Sequence, residues 1–122
     1  ATVVDNPADV VAQCDVTYSM LSTPEVAKEV FYGEKGTLAG VSAGKKLVDC
    51  ATLDPATMAK FHEDVKAKGG LFLEAPVSGS KGPAEQGTLV MMCAGDKEIF
   101  DEIEGTGLAA VGKASFYLGK VG

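Results

Sequence analysis

The sequence predicts an α/β protein built on a doubly wound, mainly parallel sheet with helices on both faces. Short runs of β-branched and aliphatic residues alternate with amphipathic stretches along all 122 residues, and the connections between them are short. Helix-start signals, a capping residue followed by proline, recur after the apolar runs. Side chains that are 46% apolar suffice for one core, and no linker, repeat or low-complexity tract divides the chain, so one domain over 1–122 is expected.

The elements follow in order. Ala1 to Val4 reads as a short strand, and Asp5 or Asn6 can cap a helix that Pro7 opens and Val10, Val11 and Cys14 stripe. Val16 to Leu21 is the next strand. Ser22 and Glu25 have capping-box spacing around Pro24, which predicts a helix burying Val26, Val30 and Phe31 until Gly33. A glycine-rich connection leads to the strand Lys46 to Cys50. Asp54-Pro55 starts a longer helix with Met58, Phe61 and Val65 on one face, ended by Gly69-Gly70. The strand Leu71 to Glu74 enters the loop Pro76-Val77-Ser78-Gly79-Ser80-Lys81, and a helical turn is expected around Pro83 to Gln86. Thr88 to Ala94 is nearly all apolar, as a fully buried strand would be. Asp96 is expected to cap a helix striped by Ile99, Phe100 and Ile103, and Ser115 to Leu118 to close as a strand. Glycines at 105 and 107 cost roughly 1 kcal/mol each against alanine in a helix, so a break is expected there.

Composition narrows the function. Eleven lysines, no arginine and seventeen acids give a net charge of −6, which argues against a nucleic-acid surface. Without arginine no bidentate guanidinium clamp is available, so an anion must be held by amides, hydroxyls or lysine. No apolar run has membrane length and no signal peptide is recognisable, so no membrane partner is expected. Cys14, Cys50 and Cys93 are widely spaced and lack a C-x-x-C pair, which predicts small buried hydrophobes in a reducing compartment, cytoplasmic or organellar, and no metal. His62, the single histidine, is expected to pack on a helix surface.

Two glycine motifs are set aside. Gly105-Thr106-Gly107-Leu108-Ala109-Ala110 matches the dinucleotide fingerprint in letters, but it follows a helix where the fingerprint needs a strand. Gly40 to Lys46 lacks P-loop spacing. What remains is a set of strand ends: Met20-Leu21-Ser22-Thr23-Pro24, Asp49-Cys50-Ala51-Thr52-Leu53 and Pro76-Val77-Ser78-Gly79. In a parallel sheet these open on one carboxyl edge, where ligands bind.

Glu74-Ala75-Pro76-Val77-Ser78-Gly79, followed by Gly87-Thr88-Leu89 and Ala94-Gly95-Asp96, resembles the substrate-loop signature of the β-hydroxyacid dehydrogenases, among them 3-hydroxyisobutyrate and 6-phosphogluconate dehydrogenases. Ser78 to Glu85 and Gly112 to Gly122 are most similar to the glyoxylate/succinic semialdehyde reductase branch. The resemblance implies a Rossmann-like fold lacking its first βαβ unit, and a fragment of an NADP-dependent reductase of a small aldehyde acid, with NAD as the alternative cofactor. It implies that Met20, Leu21, Ser22, Thr23 and Thr52 face the cofactor and that Ser78, Gly79 and Ser80 hold the substrate carboxylate. Ala51 stands where the family usually has serine. The family's catalytic lysine is expected beyond Gly122, its helical C-terminal domain is expected to be absent, and the parent is expected to be a homo-oligomer. A non-catalytic module derived from the same family is the second reading.

Overall fold

The computed structural model describes residues 1–122. Its elements are helix α1 (Pro7–Gln13), strand β1 (Val16–Ser19), α2 (Pro24–Tyr32), a 3-10 turn (Thr37–Gly40), β2 (Lys46–Asp49), α3 (Pro55–Ala67), β3 (Leu71–Glu74), β4 (Val77–Ser78), α4 (Lys81–Glu85), β5 (Leu89–Gly95), α5 (Lys97–Ile103), a π-helical turn (Glu104–Leu108), α6 (Ala109–Val111) and β6 (Gly112–Tyr117). Strands β1, β2 and β3 run parallel, with Ser19 opposite Asp49 and Asp49 opposite Glu74. Strand β5 is antiparallel to both β3 and β4, and β6 is parallel to β5. The sheet is thus mainly parallel with one antiparallel seam.

That seam departs from the expected run of βα crossovers. Only α4, of five residues, separates β4 from β5, and a parallel return needs a crossover of a dozen residues or more. Strand β5 is also not buried throughout, since Met92 is 41% exposed.

Two apolar clusters fill the faces of the sheet. Val11, Phe31, Leu47, Met58, Phe61, Val65 and Phe72 pack under α1 to α3. Val48, Leu73, Met91, Cys93, Ile99, Phe100 and Leu108 pack under α5 and the π turn. Successive residues of β2 and β3 alternate between the clusters, as period-two strands must.

Three helices start as proline at the first helical position requires. Asn6 accepts from the N–H of Asp9, Thr23 from that of Val26 and Asp54 from that of Thr57. The cap of α2 is therefore Thr23 and not Ser22, because Pro24 occupies the position directly after the cap. Helix α2 buries Ala27 and Phe31, while Val26 is exposed.

Other expectations are corrected. Ala1 to Val4 forms no strand; no neighbouring strand offers it a ladder, and Val3 is 93% exposed. Cys14 is exposed at the end of α1, Cys50 is half-buried and Cys93 is buried. Asp96 stands at the N-cap of α5 but its side chain caps nothing there. Its carboxylate instead accepts from the N–H of Phe72 at 2.8 Å and from Lys66 at 3.1 Å, with the half-buried His62 Nε2 at 3.6 Å. The helix does loosen at the glycines, into the π turn, where Gly107 lies against Tyr18 closely enough that a Cβ would sit 2.0 Å from its hydroxyl oxygen.

Glycine contacts give the first test. A Cβ at Gly40 would lie 2.2 Å from the Ala8 carbonyl oxygen, whereas one at Gly105 would meet nothing within 4 Å. Gly40→Ala is expected to destabilise the fold by about 1–3 kcal/mol, and Gly105→Ala to stabilise it by up to about 1 kcal/mol. Urea denaturation of the two variants checks the opposite signs.

Candidate functional site

The parallel pairing of β1, β2 and β3 puts the residues that follow each of them on one sheet edge. Strand β4 continues β3 along β5: Glu74 faces Ala94 and Val77, three residues on, faces Met91, three residues back along the antiparallel β5. Pro76 interrupts the ladder because it has no N–H, while its carbonyl still accepts from Met92 at 3.1 Å. Leu21 to Thr23, Cys50 to Thr52 and Val77 to Gly79 therefore open together.

Each segment is prepared differently. Beyond β1, Met20 is 63% exposed, Leu21 is half-buried, and Ser22 and Thr23 are exposed. The Thr23 hydroxyl is engaged by the Val26 N–H at the start of α2. No backbone carbonyl takes the N–H groups of Leu21, Ser22 or Thr23, so donors are available beside the amino terminus of a nine-residue helix. Beyond β2, the buried Asp49 accepts from the N–H of Ala51 at 3.0 Å and turns the loop so that Thr52 stands exposed. Beyond β4, Ser78, Gly79 and Ser80 are exposed, and the N–H groups of Gly79 and Ser80 likewise donate to no carbonyl of the chain. Gly79 has φ 141°, a conformation open to glycine, and a Cβ there would meet Leu89 at 2.7 Å. Ser80 precedes α4 without capping it through its side chain.

Two cavities flank β1, one on each face. A cavity of about 590 Å3 on the α5 side is lined by Tyr18, Met20, Cys50, Gly79, Ser80 and Gly107, among others, and joins residues of all three segments. One of about 410 Å3 on the other side receives Thr17, Ser19 and Asp49 above Val11 and Phe31. The Thr17 hydroxyl is buried there without a hydrogen-bond partner.

The electrostatics of this edge suit binding better than nucleophilic attack. Burial, with the neighbouring Asp49 and then Cys93, pushes the Cys50 thiol up to about 12, so it is a neutral thiol at physiological pH. Burial also raises the Tyr18 phenol, helped by Cys50 and Glu102. Asp49 is pushed up to about 6 by burial; the Ala51 N–H offsets part of this and the Glu74 carboxylate adds to it. Lys113 and Lys120 are exposed and lie outside the three segments.

Sequence reasoning placed Asp49 in the second strand end but gave it no role, and it passed over Tyr18. An acid directly after the apolar pair Leu47-Val48, at a strand's carboxyl end, was the available signal for the first. For Tyr18 there was none, because its environment depends on the π turn that brings Gly107 against it.

Comparison with known proteins agrees with this architecture. Residues 1–119 match the model of the NAD binding domain of 6-phosphogluconate dehydrogenase. The chain is 46% identical over 117 residues to the chloroplastic glyoxylate/succinic semialdehyde reductase 2 of Arabidopsis thaliana, covering 96% of this chain and 32% of that protein. It is 44% identical over 122 residues to reductase 1 of the same plant, covering all of this chain and 42% of that protein. It is 43% identical over 122 residues to the cytokine-like nuclear factor N-PAC of Anopheles gambiae, covering all of this chain and 21% of that protein. The chain thus spans well under half of these relatives. Among solved structures, Mycobacterium tuberculosis 3-hydroxyisobutyrate dehydrogenase with L-serine superposes with a TM-score of 0.83 at 26% identity, covering 93% of this chain and 38% of that one. Psf3 in complex with NADP+ and 2-OPP superposes with a TM-score of 0.88 at 22% identity, covering 97% of this chain and 42% of that one, a likeness of fold. With a shared fold, matched sequence and strand ends gathered on the ligand-binding edge, the chain belongs to the NAD-binding domain family of 6-phosphogluconate and 3-hydroxyisobutyrate dehydrogenases.

Proposed function

We propose that this chain is part of the dinucleotide domain of an NADP-dependent oxidoreductase that reduces a small aldehyde acid, glyoxylate or succinic semialdehyde, to its hydroxy acid. The observation that carries the reading is the pair of free N–H groups at Gly79 and Ser80, set beside two exposed hydroxyls on the edge shared with the ends of β1 and β2. A carboxylate in that loop would accept from the Ser78 hydroxyl and from the two amides, which suits a chain without arginine. Holding it there fixes the direction of the aldehyde carbon.

The cofactor fits the remaining two strand ends. Free amides at Leu21, Ser22 and Thr23, at the start of α2, would take phosphate oxygens, with Met20 against the apolar body of the dinucleotide and Thr52 toward its nicotinamide end. NADP, when bound, supplies the hydride. The preference over NAD is supported by solved neighbours of the same fold that carry NADP+, Psf3 and the Myxococcus stipitatus imine reductase. The proton comes, in this reading, from a lysine that lies outside this chain. The parent is a homo-oligomer in a reducing compartment, cytoplasmic or organellar, with no nucleic-acid or membrane partner for this chain.

A second reading has its own support. N-PAC proteins from insects and vertebrates are 40–43% identical over at least 95% of this chain, close to the identity of the reductases. A non-catalytic binding module of the same fold is therefore the alternative, and activity separates the two.

Two outcomes are expected. The purified 122-residue chain should not oxidise NADPH with either aldehyde acid in an absorbance assay at 340 nm. Turnover would place the chemistry in groups assigned here to binding. In the full-length parent, Ser78→Ala removes a charge-assisted hydrogen bond of about 1.5–3 kcal/mol, and kcat/KM for the aldehyde acid should fall roughly ten- to a hundredfold. NADPH affinity should hold. Intact kcat/KM, or lost cofactor binding with substrate spared, would remove this loop from the substrate site.

A further inference from the structure

Asp49 and Glu74 are register partners on the parallel strands β2 and β3, and both side chains point to the α3 face, opposite Val48 and Leu73. Asp49 is 4% exposed and holds the Ala51 N–H at 3.0 Å. Glu74 is half-buried and accepts from the N–H of Gly122 at 2.6 Å. The chain reaches that point by reversing after β6. Gly119, at φ 114°, makes the turn while its carbonyl accepts from Gly95 at 2.8 Å, Val121 packs against the cluster under α3, and Gly122 arrives beside Pro55. The Glu74 carboxylate thus ties the end of the segment 119–122, whose start is held by the Gly95–Gly119 bond and by Val121, to the edge that carries the candidate site, and a second, buried carboxyl group lies next to it.

We propose that Asp49 and Glu74 form a proton-dependent latch: with Asp49 neutral, Glu74 holds the returning segment 119–122 against the site edge, and ionisation of Asp49 drives Glu74 off it. Like charges on adjacent strand positions repel, and the half-buried partner is the one free to swing toward water. No cation offsets them, since none of the chain's ion pairs includes Asp49 or Glu74. Ser19 of β1 is the register partner of Asp49, and the cavity that Asp49 lines also takes in Thr37 of the 3-10 turn, the apolar Ala27, Val30 and Phe31 of α2, and the acid Asp5; in the 122-residue chain the α-carboxylate of Gly122 is a further acid beside Glu74. Lys28 acts on Asp54, which is already bonded to Thr57, and Lys120 of the returning segment is exposed.

The sign follows from the position of Asp49, raised from 3.8 to about 6 in the fold. Between those values the unfolded chain binds fewer protons at this group, so the contribution of Asp49 to stability is highest at low pH, declines as pH rises through about 6, and levels off above it. The latch opens over the upper part of the same window. It requires neither a particular dinucleotide nor a particular substrate.

Amide exchange in the 122-residue chain, measured by NMR at pH 5 and pH 8 and corrected for intrinsic rates, tests this. Protection of the Gly122 amide should be measurably lower at pH 8 than at pH 5. In Asp49→Asn it should stay at its pH 5 level, and in Glu74→Gln, whose amide oxygen still accepts but carries no charge for Asp49 to repel, it should be equal at both. The Ala51 amide is the internal control: it should remain protected in all three proteins, because asparagine still presents an acceptor. A wild-type Gly122 amide indifferent to pH, or one that falls equally in Asp49→Asn, overturns the proposal. Should Asp49→Asn not fold, the melting temperature of Glu74→Gln decides, since its drop from pH 5 to pH 8 must be smaller than that of wild type; an equal drop overturns the latch.

Discussion

Strand β5 fixes the position of the loop at Val77 to Ser80 through its antiparallel pairing with β3 and β4. The register continues across Pro76 without a slip, so the loop begins at a height set by the ladder. Met91 and Cys93 face the core beneath α5 while Met92 faces outward. A slip of one residue would bury Met92 and expose Met91 and Cys93, which the packing under α5 opposes. The loop is thereby indexed to the hydrophobic core and not to its own turn chemistry.

Carboxylates tie down both ends of β3. At its start Asp96 holds the Phe72 N–H and Lys66; at its end Glu74 holds the Gly122 N–H. The strand leading into the candidate site is thus fastened to α3 on one side and to the segment after β6 on the other. Carboxylate acceptors, half-buried as these are, form short charge-assisted bonds.

Most of the architecture was legible because it rests on local rules. Proline after Asn6, Thr23 and Asp54 marked three helix starts, and the spacing of Met58, Phe61 and Val65 marked the buried face of α3. The errors have a common physical source, in that they depend on what lies across the sheet. Ala1 to Val4 has strand-forming residues but no neighbour; β5 reads as a parallel core strand until the brevity of α4 is weighed; Asp96 looks like a cap, yet the N–H of Phe72, 24 residues away in sequence, claims its carboxylate. For the candidate site the order of its parts was readable, since parallel strands must share an edge. The burial of Asp49, the closeness of Tyr18 to Gly107 and the two cavities were not, because each is made by residues from separate elements.

Strand β1 pairs on one side only, with β2, and ends the sheet. It carries none of the devices that blunt such an edge: Val16-Thr17-Tyr18-Ser19 contains no lysine, proline or bulge, and Tyr18 is 46% exposed above one cavity while Thr17 and Ser19 line another. A row of backbone donors and acceptors with open space above and below is a template for any extended segment that reaches it. Handled alone, the polypeptide is therefore a self-association hazard whose severity grows with concentration, and its colloidal behaviour depends on whether that template is covered more than on its net charge.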